Sequence, residues 1–557
     1  MRPTIKIICL LRLIPAALLA MSLGVLAGHA NDSGRQIYQE GILPDGKLLS
    51  AHALGDVELR GSGAACKSCH RRSGYGLTDS EVVAPPITAP ALFSERLPNR
   101  AELLSGLYQE VHAPRSWAEE RVPKVRPAYS YESLNRAIRY GLDPAGNPLS
   151  SEMPRYTLDD AAIDALVAYL QTLGAAPPPG VSTSDIRFAT VIAGDANPNR
   201  ERAMLAVMNT FIGEHNREIA RELARSDFSP YYKGEFRRLR RAWNLDVWRV
   251  TGDPANWEEQ LRRRYAEAPV FAFVGGLSEG EWKPIHDFCE HERVPSIFPE
   301  TELPVLNEPS LETVYLSKGL PGEAAALAEW LREQHQDSRV LQVYRTEPSG
   351  LRLATAFGDA LLSKTGKIPL AFQLRATESL SDSGWRKILA EQNPSAVAVW
   401  LSATDPAWRS IASALPEPLY ASGGLLIQTG SPFAVYLPER LQMTYSRALP
   451  SDIDPQIYRA RAWLQSRNIR DTQELIQLDT YFVMSTLEHA LVHMAGRLSR
   501  DYLIESIEHE TENEPNPGIY PHLTLGPEQR YASKGDYIVE VEPDHGLRQL
   551  ILLSHEI

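Results

Sequence analysis

The sequence predicts a multidomain chain, an all-α N-terminal domain followed by a two-lobed α/β module. Three observations carry this. At 557 residues the chain is too long for a single hydrophobic core. Residues 31–175 show apolar residues at helical spacing around a short cysteine motif, and a run of prolines follows. Beyond residue 185, strand-like apolar runs alternate with helical stretches, the pattern of parallel sheets with helices on both faces. With 43% hydrophobic and 23% charged residues the chain is globular in composition. Its 57 Lys+Arg against 70 Asp+Glu, net −13, excludes a chain-wide nucleic-acid-binding role, which needs a basic footprint. No internal repeat, Gly-rich phosphate loop or Ser/His/Asp arrangement is evident.

Taken in order, residues 1–30 read as an export signal. Arg2, Lys6 and Arg12 form a basic start, residues 13–27 an apolar run, and Gly28-His29-Ala30 a small-residue cleavage site. The uncharged stretch is shorter than the ~20 residues that span a bilayer. The expected location is therefore the periplasm of a Gram-negative cell, with nothing membrane-spanning after cleavage. Cys9 leaves with the signal, and the remaining three cysteines are too few for a disulfide scaffold.

Two of those three stand in Cys66-Lys67-Ser68-Cys69-His70. C-x-x-C-H is the attachment pattern of a covalent c-type haem: two thiols one turn apart form thioethers, and the adjacent histidine faces the iron. A zinc site would need a second ligand pair, and no other C-x-x-C occurs. A thioredoxin-like pair would follow a buried strand, whereas Gly61-Ser62-Gly63-Ala64-Ala65 precedes this motif. For the sixth ligand, Met153 is the one methionine between residues 31 and 180 and lies in an irregular Gly/Pro/Ser-rich loop. His52 and His112 are its rivals, and an open sixth position is a third option. A His/Met pair raises the reduction potential and suits electron transfer. Gly34, Tyr38 and Gly41 mark a first helix and residues 131–140 a second. A last helix starts at the capping-box-like Thr157-x-x-Asp160, carries Ile163, Leu166, Val167, Leu170 and Leu173, and closes at Gly174.

With Cys66, Cys69 and His70 early, Met153-Pro154 late, and Ala168-Tyr169-Leu170 in the final helix, residues 31–175 resemble a class I c-type cytochrome domain. The resemblance implies one haem c with His70 and Met153 on the iron. The segment departs from the minimal pattern by the residues between the first helix and the motif and by a Pro-rich insert over 84–127.

Residues 176–184 open with Ala176-Pro177-Pro178-Pro179-Gly180, a semi-rigid polyproline spacer. Strands are expected over 186–193, 245–250, 270–274, 294–298, 340–344 and 396–401, with helices over 200–225 and 322–334. Phe273-Val274-Gly275-Gly276-Leu277-Ser278, Val294-Pro295-Ser296-Ile297-Phe298-Pro299, Ser317-Lys318-Gly319, Gly526-Pro527-Glu528-Gln529-Arg530 and Lys534-Gly535-Asp536-Tyr537, in this order, make residues 185–557 similar to the type 1 periplasmic ligand-binding proteins, the branched-chain amino-acid-binding kind of ABC transporters. That resemblance implies two α/β lobes, a crossing after Val314 and an interlobe cleft for a small molecule. In such sheets ligands sit beyond the carboxyl ends of strands, which nominates Ser278, Thr301, Glu347 and Thr404. The remaining signals read as structural: Arg237, Arg238, Arg240, Arg241 and 262–264 as a solvated face, Cys289 as a buried thiol, and His489 and His493 as an i, i+4 pair without a third ligand beside them.

The chain is thus expected to be an exported electron carrier fused to a binding module and not an enzyme. A quinoprotein dehydrogenase or another cytochrome is the expected redox partner. Its alternative is an ABC-transporter-type solute-binding or sensor protein whose haem reports redox state or gas.

Overall fold

The computed structural model describes residues 32–554 apart from 54–56, 80–81, 97–125, 195, 228, 307, 309, 335–338, 376–377, 415–417, 428–440, 450–454, 471–472, 514–518, 521–522, 527–528, 534 and 542–546. The signal over 1–30, His112 and most of the Pro-rich insert lie outside the described residues. The chain forms two compact units, Met1–Pro177 and Pro178–Ile557, and the division falls inside the proline linker.

In the first unit, a helix over 32–40, the helix Tyr131–Tyr140 and the helix Asp160–Thr172 share one core. The apolar stripe expected on the last helix is buried at every position. Its N-cap is Asp159, whose carboxylate accepts from Ala162 N at 2.8 Å, and not Thr157. Residues 155–156 are a strand, so the chain is still extended at Thr157. The first and last helices cross without room for a side chain: a Cβ on Gly34 would lie 2.0 Å from the Ala165 carbonyl oxygen. Tyr38 packs on Tyr169 with ring centroids 5.2 Å apart.

The unit is not purely helical. Ser50–His52 pairs antiparallel with Glu58–Arg60 and with Arg155–Tyr156, and Leu77–Asp79 pairs with Val82–Ala84. The residues inserted between the first helix and the motif supply two of these five strands, Ser50–His52 and Glu58–Arg60.

A local repeat, not evident by periodicity, also emerges. Residues 41–50 (GILPDGKLLS) and 141–150 (GLDPAGNPLS) each follow a helix and fold alike. Leu43 N donates to Lys47 O and Asp143 N to Asn147 O, both at 2.8 Å; Leu49 N donates to Gly41 O and Leu149 N to Gly141 O, again at 2.8 Å. Gly41 and Gly141 both adopt left-handed backbone, φ 67° and 68°, and a Cβ at either would clash with Gly61 O or the Arg155 guanidinium.

The second unit holds two sheets. The first is parallel, in the order Glu300–Leu303, Leu277–Glu281, Asp185–Ala193, Ala272–Val274, Ser296–Ile297, Thr313–Val314, with Ala242–Val250 also on Asp185–Ala193. The second runs Leu370–Leu374, Val340–Arg345, Ala396–Trp400, Leu419–Ser422, Gln442–Tyr445 in parallel, then Gly535–Val541 and Leu547–Ser554 antiparallel. Each sheet is covered on both faces by an apolar cluster, which is why its central strands read as unbroken apolar runs.

The chain crosses between the lobes three times. The first crossing follows Val314, as expected, and leads into the helix Gly319–Gln334. The second leaves Tyr445 for the helices Pro455–Ser466, Glu474–His493 and Arg500–Asn513, which return to the first sheet. The third joins Ser533 to Gly535. The first and third are tied together where Tyr315 N donates to Arg530 O at 2.8 Å and Ser533 N to Leu316 O at 2.8 Å. Among the described residues no helix is long and apolar enough to cross a membrane.

Candidate functional site

The cysteine motif sits on one helical turn. Cys66 is the N-cap of the helix Lys67–His70, and Cys69 lies in its third position. Cys66 is half-buried, Cys69 is exposed, and both thiols are free. Burial pushes the Cys66 thiol up to about 12. His70 is buried, and its Nδ1 lies 2.8 Å from the carbonyl oxygen of Pro85. A carbonyl only accepts, so Nδ1 carries the proton and Nε2 is the unprotonated nitrogen, the one that could hold a metal. Burial also pushes the imidazole down from its ordinary value, favouring the neutral form that binds metal.

Met153 is half-buried, one residue before buried Pro154 and the strand Arg155–Tyr156. Its backbone is pinned at both ends: Met153 N donates to Ser150 O at 3.3 Å, and the Arg155 guanidinium donates to Met153 O. Tyr156 packs on the same apolar cluster as Cys66, and both thiols act on its hydroxyl, whose pKa burial raises. Tyr156, in the strand after the methionine loop, and Cys66 therefore pack on one core. His52, the rival ligand, is exposed on the strand Ser50–His52. Free thiols one turn apart and a buried imidazole of fixed tautomer fit a covalent haem. Pro85 and Tyr156 were not singled out by spacing; a carbonyl partner has no residue-type signature.

In the second unit the four cleft candidates divide into two pairs. Ser278 and Thr301 do not lie in loops but on the adjacent strands Leu277–Glu281 and Glu300–Leu303, side by side in register. Their hydroxyls serve the strand ends: Ser278 Oγ accepts from Gly280 N at 3.2 Å, and Thr301 Oγ1 accepts from Leu303 N at 3.2 Å. Glu347 and Thr404 are exposed, in the loops after the paired strands Val340–Arg345 and Ala396–Trp400. One hydrogen bond links the two lobes beside two of these residues, from Ser349 Oγ to Glu302 Oε2 at 3.1 Å. Glu347 and Thr404 thus follow the carboxyl ends of their strands, whereas Ser278 and Thr301 are the second residues of theirs.

The charged groups that organise this region were not legible in sequence. Arg345, fully buried at the end of its strand, donates to both Asp405 oxygens, at 2.5 and 2.8 Å, and to the Arg375 and Glu378 carbonyls. At the second crossing Arg447 forms a two-pronged pair with buried Asp479, at 3.0 and 2.7 Å, and lies over the Tyr520 ring. Arg200 bonds Glu300 at 2.9 Å beside it. Glu323 is buried on the helix Gly319–Gln334 and accepts from Ser422 Oγ at 2.5 Å, Thr444 Oγ1 at 2.9 Å and Gly424 N at 3.0 Å. Burial pushes its carboxyl up to about 7.

The basic clusters are paired as a solvated face would be. Arg238, Arg240, Arg262 and Arg263 each stand within ion-pair distance of a glutamate. Cys289 is a buried free thiol, as expected.

No protein-family model matches the chain, and no curated protein matches it. Among solved structures it is similar to a branched-chain amino acid ABC transporter protein from Thermus thermophilus with bound valine, at 12% identity over 67% of this chain and 97% of that one, TM-score 0.49. It is also similar to a fatty acid ABC transporter substrate-binding protein from Thermomonospora curvata (14%, 68% and 95%, TM-score 0.47). A third is an ABC transporter solute-binding protein of R. palustris in complex with benzoate (10%, 67% and 97%, TM-score 0.47).

Proposed function

We propose that this chain is an exported two-lobed solute-binding protein whose N-terminal unit carries one covalent c-type haem. The observation that carries the binding reading is the chain path. Three crossings link two seven-stranded sheets within one unit, and the first two leave from the carboxyl ends of Thr313–Val314 and Gln442–Tyr445. Ser278 and Thr301 from one lobe and Glu347 and Thr404 from the other are the residues proposed to meet a small ligand there, in keeping with where open α/β sheets bind.

For the haem, Cys66 and Cys69 would hold the porphyrin and His70 and Met153 the iron. When bound, the group supplies single-electron exchange. The Pro85 carbonyl orients His70 and holds its Nδ1 proton, and the pinned backbone of Met153 holds the thioether loop. In the first reading the haem reports redox state or gas to a binding protein of the ABC-transporter kind, located in the periplasm. The His/Met ligand set also supports a second reading, in which the haem carries electrons between periplasmic partners, a quinoprotein dehydrogenase or another cytochrome, and the binding unit docks them. In neither does the chain act as an enzyme.

The test is ligand binding to the haem-loaded protein, by calorimetry with valine, long-chain fatty acids and benzoate, coupled to potentiometry. The proposal expects saturable binding of a small molecule that Thr301→Ala or Glu347→Gln weakens at least tenfold. A ligand-dependent potential selects the reporter reading; an unchanged potential selects the carrier. Absence of binding across a wide metabolite panel contradicts the solute-binding reading.

A further inference from the structure

We infer that His493, His509 and Glu510 form a divalent-metal site, of the zinc class, on the second unit. The sequence offered only the i, i+4 pair His489 and His493 and no third ligand. The fold supplies others from a different helix. His493 is the last residue of the helix Glu474–His493, and His509 and Glu510 are neighbours on Arg500–Asn513. The two helices are fixed against each other by buried Leu487, Ala490, Leu491 and Met494 on one and Leu503 and Ile507 on the other. The ligand-capable atoms of all three residues lie within 4.8 Å of one another. His493 Nδ1 is 3.4 Å from Glu510 Oε1, and the two imidazole rings are 5.2 Å apart, tilted by 53°.

Two imidazoles and one carboxylate are the donor set of three-ligand zinc sites, which leave a further position for water. A tetrahedral ion with bonds of ~2.0–2.2 Å spaces its ligand atoms by about 3.4 Å. His493 and Glu510 already stand at that spacing, and His509 needs only a side-chain adjustment. Both histidines are exposed, so the ion enters without opening the core. Borderline donors on a surface select zinc, nickel or copper over magnesium or calcium. Because its ligands come from two helices, the bound ion staples them and stabilises the folded unit.

Equilibrium dialysis of the haem-loaded full chain against Zn2+ tests this, with the same measurement on His493→Ala, His509→Asn, Glu510→Gln and His489→Ala. The expected result is one Zn2+ per chain more in the wild type than in the His493 or His509 variants, whose affinity falls at least tenfold. Glu510→Gln weakens binding and keeps the fold, and His489→Ala leaves binding unchanged. The difference between wild type and variant reads this site even where the Cys66 and Cys69 thiols also take metal. Equal Zn2+ binding by wild type, His493→Ala and His509→Asn overturns the assignment, as does a thermal midpoint of the second unit that Zn2+ leaves unmoved in the wild type.

Discussion

His70 shows how much a single backbone carbonyl decides. The motif spacing was legible in the sequence because two thiols and a histidine at fixed short intervals stand out by residue type alone. The Pro85 carbonyl, which fixes the histidine tautomer, was not, because any residue offers one. The same limit hides Arg447–Asp479, two residues 32 apart whose meeting depends on a lobe crossing. At Met153, replacement by Ala should open the sixth position, so that the reduced haem protein binds carbon monoxide rapidly while the wild type does not; rapid binding by the wild type would remove Met153 from the iron. At Glu323, burial raises the folded-state carboxyl from 4.5 to about 7. The folded protein then holds a proton that the unfolded chain has released between those values. Stability is fully present below about 4.5, falls as pH rises to about 7 and is level above. The shift is worth about 3 kcal/mol. Glu323→Gln keeps an acceptor for Ser422 and Thr444 and should flatten that part of the pH profile of denaturant unfolding. An unchanged slope would place the titration elsewhere.

Helices and central strands were legible wherever a period survives. The stripe Ile163 to Leu173 predicted the last helix of the first unit, and the apolar runs predicted Asp185–Ala193 and Ala396–Trp400. The strands Leu277–Glu281 and Glu300–Leu303 were not, because short, mostly polar strands carry no apolar run to read. Ser278 and Thr301 were accordingly expected in loops. The turn repeat at 41–50 and 141–150 escaped notice because half its positions differ and only its glycines, Pro44/Pro144 and the closing Leu-Ser are shared. Element packing makes its own prediction at Gly34, where the first helix meets Ala165 O. Gly34→Ala forces the helices apart and should destabilise the first unit by ~1–3 kcal/mol in chemical unfolding, with little effect on the second unit. A neutral substitution would mean that the two helices do not cross there.

Across the whole molecule, the length predicted three or four compact units and the proline run the boundary between the first and the rest, where the two observed units divide, while composition only excluded alternatives. The three crossings follow from which strand pairs with which over long sequence separations, and local pattern carries no such information. Removing one partner of a buried ion pair leaves the other uncompensated. Arg447→Ala at the second crossing should therefore cost the second unit ~3–5 kcal/mol in denaturant unfolding, and restoring charge with Lys should recover only part of it. The central claim is that one chain joins a covalent haem to a two-lobed binding unit. Intact-mass measurement of the protein purified from the periplasm of a host that matures c-type cytochromes tests it most directly. The expected mass is that of the processed chain plus one haem, with the increment lost in Cys66→Ser/Cys69→Ser. A processed chain with both thiols unmodified would contradict the account.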